Sequence, residues 1–311
     1  MLAPLAAFLA GAVLAEAEAG PRIDPWPGDP TRIEAWPGAS VEILYHQKRI
    51  LAPVHIEGVG ERLFIIDTAA GATVISSRLR DALAPDPEET ERRQVRGATG
   101  MIVLDYVRLP ALNFAGARET GVRALVADIA DFAPVAGRQV AGVLGADILS
   151  RRDLRLDLAR REMVVGPRGA DGGGVPFHSR GQAGFVQFTA RINGAPVAAV
   201  LDTGARSGTL NWAAAGLAGL EPGGAGVVDT GGRSAGIDGV GVDRVEARLD
   251  GLCVGAACFD GAPVRIAELA VFGLVGADGG AGPSMLVGAD LLEICPAEIL
   301  YSQGVLRLCG R

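Results

Sequence analysis

Two aspartates in this sequence stand in matching surroundings. Asp67 follows the apolar run LFII and begins Asp-Thr-Ala-Ala, while Asp202 follows AAVL and begins Asp-Thr-Gly-Ala. Two carboxyls brought within about 3 Å of each other cannot both ionise, so they share one proton and titrate as a pair. In that state one carboxylate takes a proton from water while its protonated partner donates to a carbonyl, which is hydrolysis with neither a metal nor a covalent intermediate. Such chemistry needs elements that carry each Asp to a common point from different parts of the chain.

An internal duplication supplies them. LFIIDTAAGATVIS (63–76) is matched by AAVLDTGARSGTLN (198–211), and AGVLGADILSRRDLRLDL (141–158) by SMLVGADLLEICPAEILY (284–301). Both copies keep one order: a strand, Asp-Thr, a Gly-rich segment, an apolar-apolar-Gly-Ala-Asp, and a last hairpin. The Gly-rich segments are RGATGM (96–101) and DTGGRSAG (229–236). Between the copies GPRGADGGG (166–174) reads as a linker. The expected division is a leader at 1–19, an arm at 20–37, one lobe at 38–165, the linker, and a second lobe at 175–311.

These residues resemble the retropepsin-like and pepsin-like aspartic peptidases. The elements are Asp67-Thr68-Ala69-Ala70 with Val143-Leu144-Gly145, and Asp202-Thr203-Gly204-Ala205 with Leu286-Val287-Gly288. The resemblance covers nearly all of the chain after residue 37, and its small lobes look closer to the retroviral type, fused into one chain. It implies an all-β fold with short helices: two pseudo-symmetric β-barrel lobes of about six strands each, giving one catalytic Asp apiece to a cleft between them. The implied activity is endopeptidase cleavage of peptide or protein substrates by Asp67 and Asp202, with no cofactor and no metal, in a monomer whose lobes pair as a pseudo-dimer. A noncatalytic peptide-binding or scaffold protein that keeps the cleft is the alternative.

By the same resemblance Thr68 and Thr203 reach across the pseudo-dyad to the opposite loop, and the N–H groups of Ala69 and Gly204 donate to the carboxylates. Gly97, Thr99 and Gly100, and in the second copy Gly231 and Gly232, are expected in flaps that close over substrate. Pepsins place a hydroxyl residue where Ala70 and Ala205 stand, so the implied pH optimum is weakly acidic. Ala69 replaces the usual Gly. A positive φ there would strain it by on the order of 1–2 kcal/mol, whereas with a negative φ the methyl only has to fit.

Other acidic residues have local readings. Asp229 matches the short motif, but its position in the repeat makes it a turn whose side chain bonds its own backbone. Asp147 and Asp290, in GADIL and GADLL, are expected to cap short helices. His46, His55 and His178 stand far apart, without the spacing of a metal centre or a Ser-His-Asp triad.

Composition agrees with this frame. Aromatics are 5% and glycines number 45, which favours turn-rich β structure over long helices. A net charge of -7, with no basic run interleaved with aromatics, argues against nucleic acid as a partner. The apolar stretch 2–15 followed by small residues reads as an export signal cleaved near Ala17 or Ala19, and it falls short of a span, so no stable membrane insertion is expected. An exported, periplasmic or secreted chain permits disulfides. Cys295 and Cys309 lie equidistant from Ser302 in a terminal hairpin, and Cys253 and Cys258 flank VGAA in the same way; four buried free thiols are the alternative.

Overall fold

Val, Ile, Leu and Phe accumulate in the two strands that lead to the aspartates because both faces of those strands are covered. Gly60–Ile66 pairs in parallel with Val140–Leu144, and Ala195–Leu201 with Ser284–Val287. A strand buried on both faces loses the polar alternation of a surface strand and reads as a continuous apolar run. The computed structural model describes residues 22–23, 38–86, 88, 90–128, 132–167, 173–178, 184–237, 239–275 and 282–310. The leader and most of the arm expected at 20–37 lie outside the described residues, as does the middle of the linker.

The duplication is visible strand by strand. Val140–Leu144 lies antiparallel to Val74–Ile75, which runs parallel to Arg123–Val126, itself antiparallel to Met101–Arg108. In the second copy Ser284–Val287 lies antiparallel to Gly208–Leu210, which runs parallel to Ala262–Ile266, itself antiparallel to Val245–Leu249. Each copy thus forms a curled sheet, and each sheet has ten strands among the described residues. That exceeds the six or so implied by resemblance, because outer edge strands, and in the N-terminal lobe the hairpin that carries the Gly-rich segment, join the same hydrogen-bonded path, whereas the C-terminal Gly-rich hairpin forms a separate two-stranded sheet. Arg22–Ile23, from the arm, adds an edge strand to the C-terminal sheet beside Ala257–Asp260.

A third sheet, of six strands, joins the lobes. Leu154–Asp157 of the first copy pairs antiparallel with Ala297–Leu300 of the second, and the sheet extends outward to Ala39–Glu42 on one side and Val175–Pro176 on the other. Its inward residues merge the two halves into one apolar cluster that includes Ile43, Leu154, Leu156, Ile299 and Leu306. Two disulfides lie in the C-terminal copy. Cys253 faces Cys258 across the hairpin of Leu252–Val254 and Ala257–Asp260, and Cys295 joins Cys309 at the base of the terminal hairpin. Among the described residues no helix is long and apolar enough to cross a membrane.

A core continuous through the shared sheet couples the lobes. Denaturant unfolding followed by intrinsic fluorescence and by far-ultraviolet circular dichroism is expected to give one coincident transition. Ile299→Ala, which empties a fully buried position in the shared sheet, should move both probes together at a cost of about 2–5 kcal/mol; two separated transitions would contradict the coupling.

Candidate active site

Each Asp enters the site at the end of a buried strand, where its backbone is held by the parallel neighbour. Asp67 N–H donates to Leu144 O at 3.1 Å, and Asp202 N–H donates to Val287 O at 2.9 Å. The loops then close symmetrically: Ala146 N–H donates to Ala70 O at 2.7 Å and Ala289 N–H to Ala205 O at 2.9 Å. The small-residue composition of both loops follows from these close backbone approaches.

The loops lock to each other through their threonines. Thr68 Oγ1 donates to Leu201 O at 2.6 Å and accepts from Thr203 N at 3.2 Å. Reciprocally, Thr203 Oγ1 donates to Ile66 O at 2.7 Å and accepts from Thr68 N at 3.1 Å. Both side chains are fully buried, so every one of these bonds forms away from water, and leaving any partner unmade would cost about 1–3 kcal/mol. Threonine suits the position because one hydroxyl both donates and accepts.

That lock brings the two carboxyls into hydrogen-bond contact with each other. Asp67 Oδ1 accepts from Ala69 N at 2.8 Å and Ala70 N at 3.0 Å, and Asp202 Oδ1 accepts from Ala205 N at 2.8 Å. Gly204 is demanded by space, since its φ is not positive. A Cβ there would lie 2.2 Å from Asp67 Oδ2 and 2.3 Å from its Cγ. On the opposite loop Ala69 has no positive φ either, so the strained alternative does not arise. Its methyl packs against the C-terminal lobe's apolar cluster around Val200, Leu286 and Phe272.

Burial raises the pKa of both carboxyls. For Asp67 the rise is opposed by the Ala69 N–H, by Arg49, by the Ala70 N–H and by the bond to Asp202. For Asp202 burial and then the charge of Asp67 push the pKa up to about 7, against the Ala205 N–H, Arg49 and the Gly204 N–H. The pair therefore holds on to a proton well above the usual carboxylate range.

Each repeat also forms a hairpin at its Gly-rich segment. Glu91–Arg96 and Met101–Arg108 form the first, whose turn carries Gly97, Thr99 and Gly100, with Gly97 N–H donating to Gly100 O at 2.7 Å. The second is Arg233–Ala235 with Gly241–Asp243. Its tip lies beyond Ala235, so Gly231 and Gly232 do not form it, contrary to expectation. They belong to the turn leading into the hairpin, where Asp229 Oδ1 accepts from Gly231 N at 2.8 Å. The hairpins meet across the lobes: Val271 N–H donates to Ala98 O at 3.1 Å, a Cβ on Gly236 would lie 2.9 Å from that of Ala98, and Ile237 packs against the N-terminal lobe's apolar cluster around Leu51, Ile65 and Val74.

Asp147 and Asp290 depart from the expected caps. The N-cap positions are Gly145 and Gly288, which have no side chain to offer. The two carboxylates instead brace the Asp loops: Asp147 Oδ1 accepts from Thr73 Oγ1 at 2.9 Å, and Asp290 Oδ1 from Gly208 N at 3.1 Å and Leu291 N at 3.0 Å. Each carboxylate also meets a first-turn N–H of its own short helix, Asp290 that of Leu291 and Asp147 that of Ile148, so the expected first-turn role is kept in part. Arg49 was not legible as a site residue, because nothing in a hairpin reading HQKRI marks the basic side chain that faces both aspartates.

Comparison with protein families matches the chain to the aspartyl protease family over residues 52–148 and again over 188–291, together well over half of its length. Among curated proteins no match is found. Two family units, two pseudo-symmetric lobes and an Asp loop from each define the class: the chain belongs to the aspartyl protease family.

The threonine lock generates a prediction. Thr203→Val keeps the shape but removes a buried donor and acceptor, and it should destabilise the fold by about 2–4 kcal/mol in thermal or denaturant unfolding, whereas Thr203→Ser should retain most of the stability. Equal losses for the two variants would contradict the assignment of the hydroxyl.

Proposed function

We propose that the chain is an aspartic endopeptidase in which Asp67 and Asp202 activate one water between them. The observation that carries this reading is the contact between two half-buried carboxyls, one from each lobe, in surroundings that raise the pKa of both. In the singly protonated pair the carboxylate takes a proton from water as it attacks the scissile carbonyl, and the protonated partner donates to the carbonyl oxygen. The proton then passes to the leaving nitrogen, and the amide bond breaks as the amine forms. Thr68 and Thr203 hold the geometry, and the hairpins carrying Gly97–Gly100 and Gly236 exclude bulk water from the cleft.

Relaxed backbone at Ala69 supports turnover over a merely peptide-binding role, which would have followed from strain there. The working lobes are 38–165 and 175–311, joined by 166–174. Two disulfides suit an oxidising compartment, and with the apolar stretch at 2–15 they support an exported peptidase acting on peptide or protein substrates.

Digestion of a peptide library across pH tests the proposal. Asp67→Asn and Asp202→Asn should each lower kcat/KM by about 10²–10⁴ or more, and pepstatin should inhibit the wild type. Activity should fall as pH rises through about 7, where the pair loses its shared proton. Cleavage that survives both substitutions would overturn the mechanism.

Stability gives an independent check. A carboxyl whose folded pKa is raised favours the folded state least at high pH, so the penalty grows from about pH 4 to about pH 7 and then levels off. Asp202→Asn should therefore stabilise the protein at pH 7.5 by up to about 4 kcal/mol and change little at pH 4. A variant no more stable than the wild type at pH 7.5 would contradict a pair whose folded pKa is raised.

A further inference from the structure

One hairpin of the N-terminal lobe brings a basic side chain to the aspartates. Leu44–His46 pairs antiparallel with Arg49–Ile56, and His46 lies opposite Arg49. Gln47 and Lys48 reverse the chain, with φ of 48° and 60°, the left-handed pair that a tight two-residue hairpin turn requires. The longer strand then lies antiparallel to Gly60–Ile66, with Pro53 opposite Leu63 and Leu51 opposite Ile65. Two residues further in the same register, Arg49 stands opposite Asp67. Side chains alternate along a strand, so Arg49 shares the face of Leu51, and Asp67 that of Ile65. Both belong to the face that also meets Ile237 of the C-terminal lobe, while Ile50, Ala52, Phe64 and Ile66 point into the main core. Residues directly opposite on one face have Cβ atoms about 5 Å apart, well within the reach of an arginine.

The other end of this hairpin is docked on the second lobe. Tyr45 Oη donates to Glu293 Oε1 at 2.5 Å, in the turn Ala289–Glu293 behind the Asp202 loop. Burial and then Glu293 raise the Tyr45 pKa, so the hydroxyl keeps its proton and stays a donor. Asp290 of the same turn accepts from Gly208 N at 3.1 Å, which ties that turn to the strand leaving the Asp202 loop. Arg49 is therefore held from two sides, by the strand that ends at Asp67 and by a hairpin fastened behind Asp202. In agreement, it acts on both carboxyls, opposing the rise in their pKa. The other titratable or charged groups around the pair are Tyr301, kept neutral by burial and by Asp67, Lys48, whose charge acts on Asp290, and Arg206, four residues beyond Asp202.

An acid and a base from one pair require that a single carboxyl ionise, and burial opposes even that charge. A cation fixed beside the pair favours it. We propose that Arg49 is the positioning residue that sets the pH range of the pair: docked by the hairpin of residues 44–56, its charge keeps one of the two carboxyls ionised at weakly acidic pH.

The proposal rests on the peptidase reading, and its test separates the two. The pH profile of kcat/KM for a peptide found by library digestion is measured beside a carbon-13 titration of the aspartate carboxyls, which needs no turnover. Arg49→Met and Arg49→Gln should each move both limbs of the profile, and the titration of the pair, to higher pH by roughly one pH unit. Arg49→Lys, which keeps the charge, should hold both near the wild type. Tyr45→Phe leaves every charge in place but frees the hairpin from Glu293, and it should move limbs and titration the same way by less. A lower rate with unmoved limbs and titration in a neutral variant is what a merely structural role would give, and it would overturn the proposal, as would an equal displacement in Arg49→Lys. Where neither neutral residue lets the chain fold, an unmoved titration in Tyr45→Phe would overturn it. Titrations displaced as expected in a protein that cleaves no peptide would sink the peptidase reading alone.

Discussion

Two carboxyls in contact repel each other as soon as both are charged, and the rest of the architecture answers that one constraint. Left to themselves, Asp67 and Asp202 would separate into water. They are kept together by the reciprocal threonine bonds, which tie the backbone ahead of one Asp to the side chain after the other. Because the lock joins carbonyls of Ile66 and Leu201, it acts on the buried strands themselves and not on mobile side chains. Repulsion is then relieved by the raised pKa of the pair, which favours a protonated form over two charges.

The lobes extend the same logic outward. Each Asp strand is anchored by a parallel partner, each loop is braced from behind by an acidic residue, Asp147 or Asp290, and the two halves share a sheet through Leu154–Asp157 and Ala297–Leu300. Symmetry is nevertheless incomplete at the centre. Gly204 leaves room for the Asp67 carboxyl, whereas Ala69 presents a methyl that packs into the opposing apolar cluster. The charge around the aspartates is lopsided as well, with Arg206 on the C-terminal loop where Gly71 stands on the N-terminal one.

Much of this was legible because the determinants are local or repeated. The Asp-Thr pairs, the apolar runs before them and the apolar-apolar-Gly segments recur in order, so position within the repeat distinguished Asp202 from Asp229. What escaped was set by long-range packing. The bracing role of Asp147 and Asp290 depends on Thr73 and Gly208, which are remote in sequence, and the tip of the C-terminal hairpin was misplaced because DTGGRSAG contains two turns and only strand pairing shows which one reverses the chain. Arg49 escaped as well, because its approach to both aspartates is set by packing and leaves no spacing signature.

The central claim is that one proton is held between Asp67 and Asp202 and belongs to neither alone. Infrared difference spectroscopy in the carboxyl stretching region addresses it directly, comparing the wild type with Asp67→Asn and with Asp202→Asn at pH 5.5. A protonated-carboxyl band present in the wild type and weakened or shifted in both single variants is expected, since each substitution removes the partner's charge and leaves burial alone to favour the protonated form. A wild-type band that persists unchanged in either variant, or no such band at all, would contradict a shared proton.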